Sequence, residues 1–355
     1  MTGTVTSFGY GGVSLQQTLN LTSLSQKKDG LQAQASTGVM SDSYAGLGNS
    51  RAQALALQPA ITQVSAWSGN ITTAQNRLTT TQSVLSQIST IASDLNETLS
   101  TLAGSMSSST IDTAAQQAKT ALTSLGNLLN TQQGDSYIFS GLESSKAPVS
   151  GDPGNSDLAS SISQAVNQLG TADASSVLSS TLALAGNTAD NQPFSSSLST
   201  APTTASAQNL QIVTGKNETA TAGIVATQGS ASSGSSTGSP IRDLMRNLMV
   251  VAALGSVDSE GANYTQLIQG LQDTNTAAID GLSDMSGVLG VQQNSLTTQS
   301  AMLEQMKSAL TTQLGTTKDA DLAQVSVQIN DTSNQLQASY SIIADMKGMT
   351  LASYL

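Results

Sequence analysis

The sequence predicts a mainly α protein: a coiled-coil helical bundle formed by the N- and C-terminal regions, with a small α+β or β-rich domain inserted between them. Three observations predict it. Apolar residues recur at alternating spacings of three and four toward both ends, the pattern of long helices packed side by side. Five of the six prolines lie between Pro148 and Pro240, in a stretch rich in Ser, Thr, Gly and Asn, so the regularity is interrupted in the middle. Aromatic residues make up only 3% of the 355, too few for one thick core.

The elements follow in order. Leu21, Leu24, Leu31 and Ala35 mark a first helix ending near Gly38, and a Gly- and Ser-containing loop to Asn49 follows. From Val64 the spacing picks out Val64, Trp67, Ile71, Ala74, Leu78, Thr81, Leu85, Ile88, Ala92, Leu95, Leu99 and Leu102. Only Thr81 is polar in that sustained a/d heptad, which predicts a rod of roughly 60 Å at about 1.5 Å per residue. Gly104 and the Ser run to Ser109 make a turn, and Ile111, Ala115, Ala118, Leu122, Leu125 and Leu129 share the stripe of an antiparallel partner. Tyr137, Ile138 and Phe139, between Gly134 and Gly141, predict a short strand.

In the middle, Leu158, Ile162, Ala165 and Leu169 have helical spacing, and QNLQIVTGKNETATAGIVATQ alternates like a hairpin with Lys216-Asn217 near its turn. GSASSGSSTGSP (Gly229 to Pro240) has the composition of a flexible linker. Helical pattern returns with Leu244, Met245, Leu248 and Ala252. It then runs from near Tyr264 through Leu282, Leu289, Leu296, Leu303 and Leu310, seven apart. A break falls at Leu314 to Asp321, with Asp319 expected as the N-cap of a last helix. That helix carries Leu322, Val325, Ile329, Thr332, Leu336, Ser339, Ile343 and Met346. The expected organisation is nested: residues 1–45 with 315–355 form a terminal helical polymerisation region, 46–140 with 241–314 a helical rod, and 141–240 an inserted, looser, outward-facing domain. The two ends must meet in space for their stripes to be buried.

Composition excludes several functions. Charged residues are 10% of the chain, against about 25% in a typical soluble protein. The net charge of −11 argues against nucleic acid, whose binding needs clustered Lys and Arg. It also argues against an anionic membrane surface. No apolar run approaches the roughly 18 residues of a membrane span. MTGTVTSFGYGGVSLQQ has neither the basic start nor the apolar stretch of a cleaved signal peptide.

The sequence has no His and no Cys, which removes Ser-His-Asp, Cys-His and zinc-site chemistry and any disulfide framework. Asp319 and Asp321 read as a helix cap with a first-turn acid, and Asp94 and Glu97 as a solvated face. Asp258 and Glu260 lack the further oxygen ligands of a calcium loop. Asn-x-Thr triplets such as Asn70-Ile71-Thr72 and Asn217-Glu218-Thr219 are expected by chance in a chain of this composition. Trp67 and the helical methionines read as packing residues. No catalytic, metal-binding or cofactor site is expected, and the chain is not read as an enzyme.

Four segments resemble the bacterial flagellin superfamily. QASTGVMSDSYAGLG (Gln34 to Gly48) is similar to the family's segment between its first two helices, with Ser36, Thr37 and Gly38 as its centre. GDSYIFSG, with Tyr137, Ile138, Phe139 and Gly141, resembles the strand after the helical hairpin in the hook-associated branch that joins hook to filament. KDADLAQ, with Asp319 and Asp321, looks like the Asp-x-Asp-Leu-Ala start of the last helix, and LQASYSIIADMKGMTLASYL like that branch's C-terminal helix. The resemblance covers both helical ends and not the middle. It implies an extracellular structural subunit of the flagellum, exported unfolded through the type III export apparatus with a cytoplasmic chaperone. It also implies assembly as a ring of copies between a hook-side junction protein and flagellin. A filament flagellin, or a secreted coiled-coil adhesin or scaffold, fits the same periodicity.

The C-terminal stretch sharpens the assembly reading. Leu336, Tyr340, Ile343, Met346 and Tyr354 follow one stripe, and Ile342, Met349 and Ala352 another. One stripe can pair with the chain's own N-terminal helix, which leaves the second for another subunit and the tail unfolded until polymerisation. The expected packing residues are Leu21, Leu24, Leu31, Leu322, Val325, Ile329, Leu336, Tyr340, Ile342, Ile343, Met346, Leu351 and Leu355.

Overall fold

The computed structural model describes residues 11–105, 107–188, 193–256 and 262–348. Its helices are α1 (Gly11–Thr37), α2 (Arg51–Gly104), α3 (Ser108–Leu129), α4 (Asp157–Val166), α5 (Ala174–Gly186), α6 (Pro202–Ala205), α7 (Pro240–Ala253), α8 (Ala262–Lys318) and α9 (Leu322–Gly348). Two antiparallel hairpins complete it. One pairs β1 (Gln132–Gln133) with β2 (Ser136–Tyr137), and the other pairs β3 (Gln211–Gly215) with β4 (Glu218–Thr221). The chain divides into two compact units: residues up to Ser65 with those from Gln305 onward, and Ala66–Glu304. The second unit keeps 141–240 together with the helices on either side.

In the second unit the α2 heptad is the spine. Ile71, Ala74, Leu78, Leu85, Ile88, Ala92, Leu95, Leu99 and Leu102 are buried, while Trp67 is only half-buried. Thr81, the one polar position, is fully buried because its hydroxyl donates to Arg77 O one turn back (2.8 Å). α8 runs antiparallel to α2. Gln75 Nε2 donates to Thr297 Oγ1, and Asn275 Nδ2 donates to Ala92 O at 2.8 Å. The α8 stripe of Leu282, Met285, Leu289, Leu296 and Leu303 is buried. α3 starts where Ser107 Oγ accepts from Thr110 N, and it buries Ile111, Ala115, Ala118, Leu122, Leu125 and Leu129.

α7 differs most from the one-stripe helix expected of it. Every residue from Ile241 to Val251 is buried, because α3, α4 and α5 all pack against it. Its polar side chains each hold a different neighbour. Arg242 Nη2 donates to Leu198 O and Thr200 O, and its guanidinium lies 5.7 Å from the centre of the Phe194 ring. Arg246 donates to Leu178 O and Thr181 Oγ1 on α5, and Asn247 Oδ1 accepts from Arg246 and Thr274. Burial pushes both guanidinium pKa values down to about 10, and the Asp243 carboxylate opposes the shift.

Asp243 also overturns the flexible-linker expectation for 229–240. Its carboxylate accepts from Ser236 Oγ and Thr237 N, and Ser230 N donates to Gly238 O across the loop. A Ser/Gly composition sets the entropy of the free chain, and here one buried carboxylate fixes both the loop and the helix after it. Of the stretch from Gln208 to Gln228 expected as a hairpin, 211–221 forms one: Asn217, at φ 64, turns the chain between β3 and β4.

The strand expected at Tyr137–Phe139 is shorter than its composition suggests. Only Ser136 and Tyr137 pair in β2, while Ile138 and Phe139 leave the ladder and are fully buried. Arg77 Nη2 donates to both Tyr137 O (2.9 Å) and Ile138 O (3.0 Å) and so takes the place of a further strand. Gly141 follows at φ 65, where a Cβ would lie 2.5 Å from Gln208 O, so only glycine fits.

Arg77→Met leaves the Ile138 carbonyl buried without its donor. The expected loss is about 1–3 kcal/mol in the stability of the second unit, read from the urea midpoint of the purified chain.

Candidate assembly interface

The first unit is built around α1 and α9, each 27 residues long. Two family-like segments far apart in the chain join the C-terminal end of one to the N-terminal end of the other. Gly38, at φ 74, ends α1 with its N–H on Gln34 O, a left-handed cap. Val39 then pairs antiparallel with Asp319. Met40 N donates to Lys318 O at 2.7 Å, and Ala320 N donates to Gly38 O at 2.9 Å. Gln34 Nε2 reaches Met40 O (2.9 Å), Thr37 Oγ1 donates to Ala33 O, and Ser36 is exposed. The Lys318 ammonium sits 5.4 Å from the centre of the Tyr44 ring. With those ends tied, α1 and α9 pack antiparallel along their length.

Two expectations at this junction need correction. α8 continues through Lys318, so the break expected from Leu314 shrinks to a few residues. The N-cap of α9 is Asp321 and not Asp319. Asp321 Oδ1 accepts from Ala323 N (3.0 Å) and Gln324 N (3.2 Å), while the backbone of Asp319 is engaged in the bridge to Val39. Two aspartates two residues apart look equivalent as caps, and the pairing with Gly38 to Met40 decides between them.

The expected packing residues separate into three groups. Leu31, Val325 and Leu336 are buried, and Thr332 joins them with its hydroxyl on Gln328 O. Leu21, Leu24, Ile329 and Ile343 are half-buried. Leu322, Tyr340 and Ile342 are exposed. Tyr340 is 61% exposed, so it stands outside the buried stripe expected to contain it. The Met346 side chain, Leu351 and Leu355 lie outside the described residues, as do Met349, Ala352 and Tyr354.

The expectation that the tail stays unfolded until assembly differs from the structure through Gly348, where α9 is a helix paired with α1. Leu15 (62% exposed), Leu19 and Val327 are exposed apolar residues beyond the expected set. The i, i+4 spacing of Leu15 and Leu19 is the signal that could have found them.

A helix pair that buries so few side chains and exposes Leu15, Leu19, Leu322, Val327, Tyr340 and Ile342 is incomplete as a core. Each such aliphatic side chain, already partly covered, gains on the order of 1 kcal/mol when fully covered. Cover by further helices would supply that gain, and the fold defines a helical structural protein. The bacterial flagellin N-terminal helical region matches residues 11–144, and the bacterial flagellin C-terminal helical region matches residues 273–355. The chain belongs to the bacterial flagellin superfamily. A comparison with curated proteins finds no match.

The family is structural and non-enzymatic, forms the extracellular flagellum and polymerises with other flagellar subunits. Among the described residues no helix is long and apolar enough to cross a membrane, and no group of three or more His, Cys, Asp or Glu could hold a metal ion.

Amides of α1 and α9 in dilute monomer are expected to exchange at least about tenfold faster than those of α2 between Ile71 and Leu102, since exchange follows local burial. Equal protection would contradict the thin packing of the pair. Asp321→Ala removes the α9 cap and is expected to cost about 1 kcal/mol, seen as faster exchange in the first turn of α9. Asp319→Ala should leave that turn unchanged.

Proposed function

We propose that the chain is the structural subunit that joins hook to filament, and not the subunit of the filament itself. The observation that carries a packing role is the row of exposed apolar residues on α1 and α9, centred on Leu15, Leu19, Tyr340 and Ile342. The junction position rests on two segments like those of the hook-associated branch: GDSYIFSG, whose Tyr137 and Ile138 carbonyls accept from Arg77, and LQASY on α9. In this reading α1 and α9 polymerise with their counterparts in neighbouring copies. Residues 46–140 with 241–314 are the rod, and 141–240 is the variable part. Copies form a ring whose neighbours are a hook-side junction protein and flagellin. The chain reaches that place unfolded, through the type III export apparatus, with a cytoplasmic chaperone.

Complementation tests the position. In cells lacking their junction subunit, hooks stand without filaments and flagellin escapes into the medium. Expression of this chain is expected to restore filaments and retain flagellin. Restoration in a flagellin-null strain instead would assign it to the filament.

Ile342→Asp tests the mechanism. It places a charge on an exposed position, so secretion into the medium is expected at wild-type level while assembly falls by an order of magnitude or more. Normal assembly by Ile342→Asp would remove the role given to α9.

A further inference from the structure

The N-terminus of α7 is enclosed and short of acceptors. Ser239 and Ile241 are fully buried, and Arg242 is 2% exposed. The first turn of a helix leaves main-chain N–H groups without an intrahelical partner. Here Asp243 N donates to Ser239 O, and Pro240 has no N–H. The N–H groups of Ile241 and Arg242 remain, and the Ser239 side chain makes no cap bond to them. At an exposed helix end such groups are hydrated, but these are buried.

The Arg242 side chain brings further donors to the same end. The Cα–Cβ bond of a helical residue tilts toward the N-terminus. The guanidinium reaches back to Leu198 and Thr200, whose carbonyls both accept from Nη2. Arg242 Nε and Nη1 are buried with no partner among the described residues, as are Ser239 Oγ and Thr200 Oγ1. Arg246, one turn on, is the contrast. Its Nε, Nη1 and Nη2 all donate, to Thr181 Oγ1, Asn247 Oδ1 and Leu178 O respectively. What Arg242 lacks is an acceptor.

Charge narrows the ligand. Arg242 and Arg246 are buried beside one carboxylate, Asp243, which accepts from Ser236 Oγ and Thr237 N. A buried charge without a counter-charge is strongly disfavoured. Water can accept from N–H groups but carries no charge. An anion supplies both the acceptor and the counter-charge, and the dipole of a helix favours it at the N-terminus. Enclosure sets the size: the ion is small and enters as the second unit folds.

We propose that the buried N-terminus of α7 holds one monatomic anion, a halide such as chloride, on the N–H groups of Ile241 and Arg242 and on the Arg242 guanidinium. The site lies inside the second unit and is independent of the hook or filament position. It ties α7 to the Leu198–Thr200 segment of the middle region, and it makes folding of that unit a step that takes up an anion.

The urea midpoint of the dilute chain is measured in mixtures of sodium chloride and sodium gluconate at one ionic strength, which holds screening constant. A tenfold rise in chloride above its dissociation constant is expected to raise the folding equilibrium constant about tenfold, because the ion binds the folded state alone. Bromide is expected to act in the same way. Absence of a halide dependence overturns the proposal. Arg242→Met is expected to abolish the dependence, and a dependence that survives in it overturns the assignment to this site.

Crystals of the chain grown in sodium bromide locate the ion without any variant, so the proposal stays falsifiable if Arg242→Met does not fold. An anomalous bromine peak within hydrogen-bond distance of Arg242 is expected. Water at that position overturns the proposal. So does a bromide peak there with no halide dependence of stability, which marks an adventitious ion only. Complementation is unaffected by any of these outcomes, so failure here leaves the assembly reading standing.

Discussion

The apolar seam of α2 has no helix next to it in sequence long enough to cover it. α2 is 54 residues long and the helix that follows it, α3, only 22. A comparable partner appears with α8, 57 residues long, after the whole middle of the chain. An uncovered seam of Ile71, Leu78, Leu85, Leu95 and Leu99 would cost about 1.5–3 kcal/mol per side chain, so α2 and α8 must meet. The middle of the chain then has to leave and return within the same unit. Arg77 on α2 and Gln292 on α8 hold it where it does so: Arg77 takes the Tyr137 and Ile138 carbonyls, and Gln292 Oε1 accepts from Gly223 N.

With few charges available, the chain fixes these contacts through neutral hydrogen bonds and a handful of buried ions. Thr hydroxyls along α2 and α8 donate to the carbonyl four residues back, as at Thr81, Thr276 and Thr297, which lets a helix rich in Thr stay satisfied. The buried ions are concentrated on α7. Arg242, Asp243 and Arg246 each hold a loop or helix of the middle region by its backbone or hydroxyls. Removing any of them would leave buried groups unpaired, so the middle region and the helical spine are expected to be stable or unstable together.

The same economy explains the surfaces. A helix with one seam is finished when that seam is covered. α9 and α8 each carry apolar residues on a second side: Tyr340 and Ile342 on the first, Val291 and Met302 on the second. In a chain of net charge −11, the α8 stretch between Asp284 and Glu304 carries no charge, whereas Asp345 lies one turn from Ile342 on α9. The chain therefore folds around α2 and α8 while α1 and α9 keep apolar side chains exposed.

Much of this architecture is legible in the amino-acid sequence. Heptad spacing locates α2, α3, α8 and α9 and most of the buried residues of α2 and α3, since a long helix shows its buried side by periodicity wherever it packs, while on α8 it leaves out Leu267, Ile268, Leu271 and Ala278. The turn at Asn217 and the αL cap at Gly38 follow from residue types that tolerate positive φ. What the sequence does not decide is which of several equivalent groups is used. Asp321 caps α9 because Asp319 is drawn into the bridge with Val39. Ile138 and Phe139 are core and not strand because Arg77 takes the Ile138 carbonyl and Ala226 N the Phe139 carbonyl. Gly229 to Pro240 is held because Asp243 reaches back to Ser236 and Thr237. α7 shows one apolar stripe in sequence and is buried on every side. Periodicity is a property of one helix, whereas these outcomes depend on groups that only folding brings within hydrogen-bond reach.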